Sequence, residues 1–491
     1  MGQEPEKAVG ATLMATELAR RMDLAEAEVA EVYYLTLLRH LGCTAPSHEE
    51  AYLFGGDLAD RALAERTDEK RPREAMALMR TVGRGTGPRR LQHIGRVVAG
   101  QKRVRAMLRS VCEVGSRMAE RLGFGGAVST GLSQVMERWD GKGAPDGESG
   151  DGIVLPLRLA EVATQAVAFD RLGGPDAALE MVRRRAGGWF DPQVAEEFER
   201  HGPEILRKVE ASDPWQAVLD AEPEPVRRVA EEGLDQLARA FADMTDLHSS
   251  FTLEHSSGVS ELAETAARGL GFSDRDVTAL RRAALFHDLG RPAVSTATWE
   301  KPGPLTAAEW ERVRLHPYHT ERILARSPAL ESVARLAGMH HERQDGSGYH
   351  HGAAGPGVPA AARLLGAADA YQAMTQERSH RPPFTPEDAA EKLLEAAGSG
   401  GLDPECARAV VEAAGQRPVR VRTTWPAGLS DREVEVLRLV ARGRSNRGVA
   451  EELFISPRTA EHHVQHIYDK IGVSTRAAAA MFAMEHGLLR G

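Results

Sequence analysis

Seven side chains able to bind metal stand in order along the middle of the chain: His255, the pair His287 and Asp288, His316, the pair His340 and His341, and Asp369. Imidazole together with carboxylate suits borderline divalent cations such as iron, manganese or zinc. An Asp beside a His can bridge two ions while its neighbour binds one. Two ions held close together polarise a phosphoryl oxygen and supply a hydroxide nucleophile at neutral pH. Eight of the 18 histidines fall between His255 and His351, a span of 97 of the 491 residues, so composition alone does not explain the cluster.

The elements that must position these groups are helical. Ser273 is predicted to cap a helix whose apolar positions Val277, Leu280, Ala284 and Leu285 recur at helical spacing. That helix carries His287 and Asp288, and Gly290-Arg-Pro292 stops it. Thr306 and Glu309 form a capping box for a helix that should reach His316 at its end. Another helix closes over 339–342 before a Gly-rich loop, and Asp369 lies in an Ala-rich helix over 361–374. Ligands from separate helices converging inside a bundle are the usual construction of dimetal sites in all-α proteins. His319 is expected at the helix surface, Trp299 and Trp310 in packing roles, and His350 and His351 in a loop able to approach a substrate phosphate.

At 491 residues the chain is long enough for about three domains. Apolar content of 42% with only 5% aromatic points to helix-on-helix packing. Three widely spaced cysteines, Cys43, Cys112 and Cys406, fit neither a disulfide framework nor a zinc CxxC pair. The polar, acidic start MGQEPEKAVG does not read as a signal peptide, and no run of about 18 apolar residues is present. A cytoplasmic protein without a membrane span is expected. A formal charge of −9 argues against a chain that coats nucleic acid along its whole length, but not against a small DNA-binding module.

The first half repeats the second. Met136-ERWDGKGAP-Asp146 reads against His341-ERQDGSGYH-His351 at an offset of 205, and RLAEVATQA from Arg158 continues against RLLGAADAY from Arg363. Gly187-GWFDP pairs with Ser399-GGLDP, and Leu38-RHLG with Phe286-HDLG. The ligands are gone from the first copy: the His-Asp pair becomes Arg39-His40, the His-His pair Val135-Met136, and the last Asp Thr164. That copy is read as a degenerate domain, structural or dimerising.

The second copy resembles the HD-GYP family of HD phosphohydrolases over about residues 246 to 415. The resemblance rests on His255-SSGV, His287-DLG, Lys301-PGPLTAAEW with His316-Pro, His340-HERQDGSGY and Ala368-DAYQAM. It implies two divalent ions, with iron or manganese favoured. His255, His287, Asp288 and Asp369 would hold one, and Asp288, His316, His340 and His341 the other, with Asp288 bridging. It further implies a catalytic role for Asp288 and Arg291, substrate contacts from Arg291 and Tyr349, and hydrolysis of a cyclic dinucleotide such as cyclic di-GMP. Three departures stand out. Phe251 replaces a Glu found in members that bind a third metal, Arg291 replaces a Lys, and Gly348-Tyr349-His350 stands in place of Gly-Tyr-Pro.

From Leu429 onward Ser430-DRE opens a helix by a capping box, Ser445-NRGVAEEL gives a short second helix, and Ser456-Pro457 starts a third. The stretch resembles the LuxR-type DNA-binding domain, a helix-turn-helix whose second helix enters the major groove. Ser445, Asn446, Arg458, Thr459, His462, His463, His466 and Lys470 are the candidate contacts to double-stranded DNA. Nine Arg or Lys against eight Asp or Glu leave this module only +1. Ser474-TRAAAAMFAME offers a small-residue helix suited to a homodimer. The expected architecture is all-α: a degenerate HD-like domain over 1–201, a connector over 202–245, an HD-GYP-like domain over 246–415, a linker over 416–428 and a helix-turn-helix over 429–491. The expected function is a dimetal phosphohydrolase fused to a transcription regulator. The alternative is a regulator whose HD modules sense a nucleotide without hydrolysing it.

Overall fold

The computed structural model describes residues 5–54, 67–68, 74, 76, 100–415 and 425–489. Most of the expected linker, with Arg417, Arg420 and Arg422, lies outside the described residues. Among the described residues there are helices and no strands, only two isolated bridges. The chain divides into two units, Met1–Val229 and Ala230–Gly491.

In the first unit the helices Pro5–Arg21, Glu26–Leu38, Leu155–Arg185 and Pro192–Glu210 pack around Met14, Leu18, Val32, Leu159, Met181 and Phe198. The long Leu155–Arg185 helix breaks where Gly174 takes a φ of 76°, just before Pro175, because a proline inside a helix cannot donate to the carbonyl four residues back.

In the second unit the helix His255–Gly269 lies at the centre, against Asp274–Phe286, Ala360–Met374 and Pro404–Gly415. Its core is built largely from alanines, among them Ala263, Ala266, Ala284, Ala367 and Ala368, with Leu280, Leu364 and Val410 between them. Small side chains let helix axes approach closely, which draws ligands on different helices into one place. The C-terminal module follows as Asp431–Ala441, Asn446–Glu452, Pro457–Ile471 and Arg476–Glu485. Ser430 with Glu433 forms the expected capping box, and Ser445 and Ser456 cap the next two helices.

The two copies of the repeat keep the same scaffold contacts. Glu137 Oε1 accepts the backbone N–H of Asp146 at 2.8 Å, and Glu342 Oε1 that of His351 at 2.7 Å. Arg158 pairs with Asp191 at 2.8 Å, and Arg363 with Asp403 at 2.7 Å. A Cβ on Gly143 or Gly348 would stand 2.5 Å from the backbone of Glu137 or Glu342, so both turns require glycine. What changed is the centre. Arg39, aligned with His287, reaches Glu161 at 2.7 Å and donates to Thr164 Oγ1 at 3.2 Å. A buried ion pair stands there in the first copy.

Candidate dimetal centre

Three of the expected ligands sit just beyond the end of a helix. His287 follows the helix Asp274–Phe286, His316 follows Ala307–Arg314, and His340 follows Glu331–Gly338. In each, Nδ1 bonds the carbonyl oxygen three residues earlier: Ala284 at 2.8 Å, Val313 at 2.6 Å and Ala337 at 2.6 Å. A carbonyl only accepts, so Nδ1 carries the proton and Nε2 presents a lone pair. The bond also satisfies one of the carbonyls that every helix end leaves without a partner.

The sequence expectation placed His316 at the end of a capped helix. Instead the capped helix stops at Arg314 and a new one, His316–Leu324, begins at the histidine. Pro317 is the reason: it cannot donate to Val313, and its ring crowds that carbonyl.

Gly290 brings the His287 and His316 segments together. A Cβ there would lie 2.1 Å from the His316 carbonyl oxygen. Gly290 N–H donates to Thr320 Oγ1 at 2.8 Å, and Thr320 Oγ1 donates to the His287 carbonyl at 2.9 Å.

The seven residues converge, all buried except half-buried His341. His316, His340 and His341 form one group with donor atoms within 4.8 Å of each other, and His255, His287 and Asp288 form another. Asp288 stands between them. Its Oδ1 is 3.4 Å from His316 Nε2 and 3.8 Å from His340 Nε2. Its Oδ2 is 3.5 Å from His287 Nε2, 3.8 Å from His255 Nε2 and 3.1 Å from Arg291. Asp369 Oδ1 lies 3.1 Å from His255 Nε2, and Oδ2 3.8 Å from His341 Nδ1. His287 Nε2 is buried without a hydrogen-bond partner. That lone pair, among imidazoles whose protons point away, is the arrangement a divalent cation fits.

Electrostatics agree. Burial pushes the Asp288 carboxyl up, but Arg291, His287 and His316 overrule it and hold it well below the carboxylate range. Asp369 is likewise held low against burial by its bond to His255 and by His341. Burial, then His287 and His316, lowers His340 to about 3, and burial with His340 depresses His341 strongly. Asp288 and Asp369 stay ionised and His340 and His341 neutral, as ligands must be.

Tyr349 lies over His341, ring centroids 4.8 Å apart. The Arg291 guanidinium rests on Trp299 at 3.8 Å. Trp299 was expected only to pack; it also donates Nε1–H to the Arg291 carbonyl at 3.3 Å and meets His316 edge-on at 5.4 Å. His319 is half-buried, and Trp310 is exposed.

Three neighbours were not foreseen. Gln376 Oε1 accepts from His255 Nδ1 at 2.9 Å, fixing that ring's tautomer. Arg378 is half-buried near Arg291, and desolvation with their mutual repulsion lowers its pKa to about 10. Asp246 caps the His255 helix from outside, accepting from Ser256 N at 2.9 Å and Oγ at 2.8 Å. The first two follow the Asp369 helix by two and four residues, the signal that could have found them.

In the C-terminal module the helix Pro457–Ile471 buries Ala460, Val464, Ile467 and Ile471 and exposes Arg458, Thr459, His462 and His466, with His463 half-buried. Ser445 is exposed. Asn446 accepts from Arg476 at 2.7 Å, and Lys470 pairs with Glu433 at 2.7 Å, so both also serve the module's own structure. The small-residue helix Arg476–Glu485 buries Ala478 through Met484 within the chain rather than leaving them for a second copy.

The family model of the HD domain matches twice, over residues 64–194 and 239–406, and that of the bacterial regulatory proteins of the luxR family matches residues 427–483. The chain belongs to the HD-domain family. It is 30% identical over 421 residues to a 3'3'-cGAMP-specific phosphodiesterase of Vibrio cholerae, covering 84% of this chain and 91% of the relative. A cyclic di-GMP phosphodiesterase response regulator of Xanthomonas campestris is 34% identical over 38% of this chain and 48% of its own length. The crystal structure of a cyclic GMP-AMP-specific phosphodiesterase of Vibrio cholerae superposes with a TM-score of 0.57 at 27% identity, covering 85% of this chain and 94% of that one. The chain is therefore an HD-GYP-type, metal-dependent phosphohydrolase joined to a LuxR-type regulatory module. No described helix is long and apolar enough to cross a membrane.

Proposed function

We propose that this chain hydrolyses a phosphodiester bond of a 3'3'-linked cyclic dinucleotide and couples occupancy of that site to DNA binding. The observation that carries the reading is Asp288, whose two oxygens face separate imidazole groups. It supports one ion on His255, His287, Asp288 and Asp369 and a second on Asp288, His316, His340 and His341, with Asp288 bridging. Iron or manganese suits this set of nitrogen and oxygen donors. When bound, two such ions supply Lewis acidity and a nucleophile at neutral pH.

The chain's own residues do the rest. Arg291, its guanidinium 3.8 Å from the Trp299 ring centroid, and Arg378 beside it offer two guanidiniums able to pair with the phosphates. Tyr349 covers the centre and can stack on a base. Depressed pKa values keep His340 and His341 free of added protons.

The C-terminal module touches the HD domain near this centre. Arg444, next to the cap Ser445, lies 3.4 Å from Glu377, and Glu377 adjoins the Gln376 that orients His255. That contact supports coupling between nucleotide and double-stranded DNA, with Ser445, Arg458, Thr459, His462, His463 and His466 facing the duplex. We further propose the domain limits 1–201, 202–245, 246–415, 416–428 and 429–491, a cytoplasmic setting supported by three free thiols, and a homodimer on DNA.

The test is turnover of 3'3'-cyclic GMP-AMP and cyclic di-GMP by the purified, metal-loaded protein, with Asp288→Ala as control. Linear product from at least one substrate, absent in the control, is the expected result. Binding without turnover would favour the sensing alternative.

A further inference from the structure

Apart from the buried centre, one more set of ligating side chains converges among the described residues. Glu321, His350 and His351 each offer one donor atom, all within 4.8 Å of one another. Glu321 Oε2 is 3.4 Å from His350 Nε2 and 2.9 Å from His351 Nε2. Donors on a tetrahedral zinc ion with bonds of about 2.0–2.1 Å stand roughly 3.3 Å apart, so little movement separates this cluster from a coordination sphere.

The surroundings hold it from two sides. A Cβ at Gly338 would lie 2.5 Å from Glu321 Oε2, so the carboxylate occupies space that glycine leaves open. Across from it, Glu342 accepts the backbone N–H of His351 at 2.7 Å and of Ala353 at 2.9 Å, which fixes the loop. The set is distinct from the catalytic one. His316 opens its helix and Glu321 comes five residues later, roughly 7.5 Å along the axis and about 140° around it. His351 is 42% exposed, which leaves coordination positions open to solvent.

We propose that Glu321, His350 and His351 form a separate site for a divalent transition cation of the zinc class. Two imidazoles and a carboxylate with an open position are a donor set zinc takes. Occupancy would tie the loop that carries Tyr349 to the helix that begins with His316. Tyr349 stands 4.8 Å from His341 and 6.5 Å from His316, so the clamp would restrain the side chain covering the centre. The clamp's effect on turnover rests on the function proposed above; the metal site itself does not.

The experiment titrates zinc chloride by calorimetry into the full-length holoprotein, beside His351→Ala, Glu321→Gln and His340→Ala/His341→Ala proteins. One saturable equivalent beyond the catalytic metals is expected in the parent. Loss of an outer-shell partner alone costs about 10–100-fold in metal affinity, so His351→Ala and Glu321→Gln should each weaken this equivalent at least tenfold. It should survive in the His340→Ala/His341→Ala protein. Exposure of His351 and the near-identical shape of Gln keep both variants folded, which circular dichroism checks. No saturable equivalent in the parent, or parental affinity in both variants, overturns the proposal. Absence of turnover in the parent protein, with the equivalent bound, counts against the proposed hydrolysis instead. An unchanged KM with zinc bound overturns the clamp.

Discussion

His316 Nε2 and His340 Nε2 face each other at 3.1 Å, although 24 residues separate them. Each ring gives its Nδ1 proton to a carbonyl three residues earlier, so two lone pairs meet in a buried space. Without a cation they repel, and a cation placed between them turns that repulsion into coordination. Removing metal should therefore destabilise the second unit. A ligand at 100 times its Kd contributes about 2.7 kcal/mol, and at this domain size each kcal/mol shifts Tm by roughly 2–4 °C. Chelation should lower Tm by about 5–10 °C, as differential scanning calorimetry would show. An unchanged Tm would argue against tight binding.

Asp288→Ala should release both ions, because its two oxygens serve both imidazole groups. Elemental analysis is expected to give about two metals per chain in the parent and close to none in the variant. One metal retained would assign Asp288 to a single ion.

In the first unit, Arg39→Met should leave Glu161 buried and unpaired. Removing one partner of a buried pair costs about 3–5 kcal/mol. Urea unfolding followed by circular dichroism should show a loss of that order while the metal content stays at the parental value. Lost metal would tie this copy to the centre.

Glu433 links the capping box of the C-terminal module to Lys470. Burial pushes its carboxyl up, but Lys470 and Ser430 outweigh this and lower the pKa from 4.5 to about 2. A depressed carboxylate stabilises the fold above its unfolded pKa, and that stabilisation fades as pH falls from about 4.5 to about 2. Glu433→Gln should cost about 1 kcal/mol at pH 7, the usual worth of a cap, and almost nothing near pH 2. Melting curves of parent and variant across that range would test it; a gap independent of pH would refute the role of charge.

Glu377→Ala should alter how nucleotide affects DNA affinity, since Glu377 meets Arg444 beside the second helix of the C-terminal module. Coupling of this kind is reciprocal and typically about 1–3 kcal/mol. Titrating promoter DNA at fixed salt, with and without cyclic dinucleotide, should give a smaller ratio in the variant. Equal affinity under every condition in the parent would mean two independent functions on one chain.

The ligand set, the repeat and the helix caps were legible in the sequence because each depends on residue type and short spacing. His287-Asp288, the offset of 205 and the Ser430-Glu433 box are local patterns that chemistry and helix geometry make specific. What lies between distant segments was not legible. Arg378 and Gln376 reach the centre only because the chain turns after Met374, and Trp299 supports Arg291 only because a short helical turn folds back. The helix break at Leu315 is itself legible in Pro317. Tertiary structure alone decided which oxygen of Asp288 faces which imidazole, and that an Arg39–Glu161 pair replaces the centre in the first copy. Side-chain direction depends on how helices pack, and packing is set by contacts between residues more than a hundred positions apart, such as His255 and Asp369.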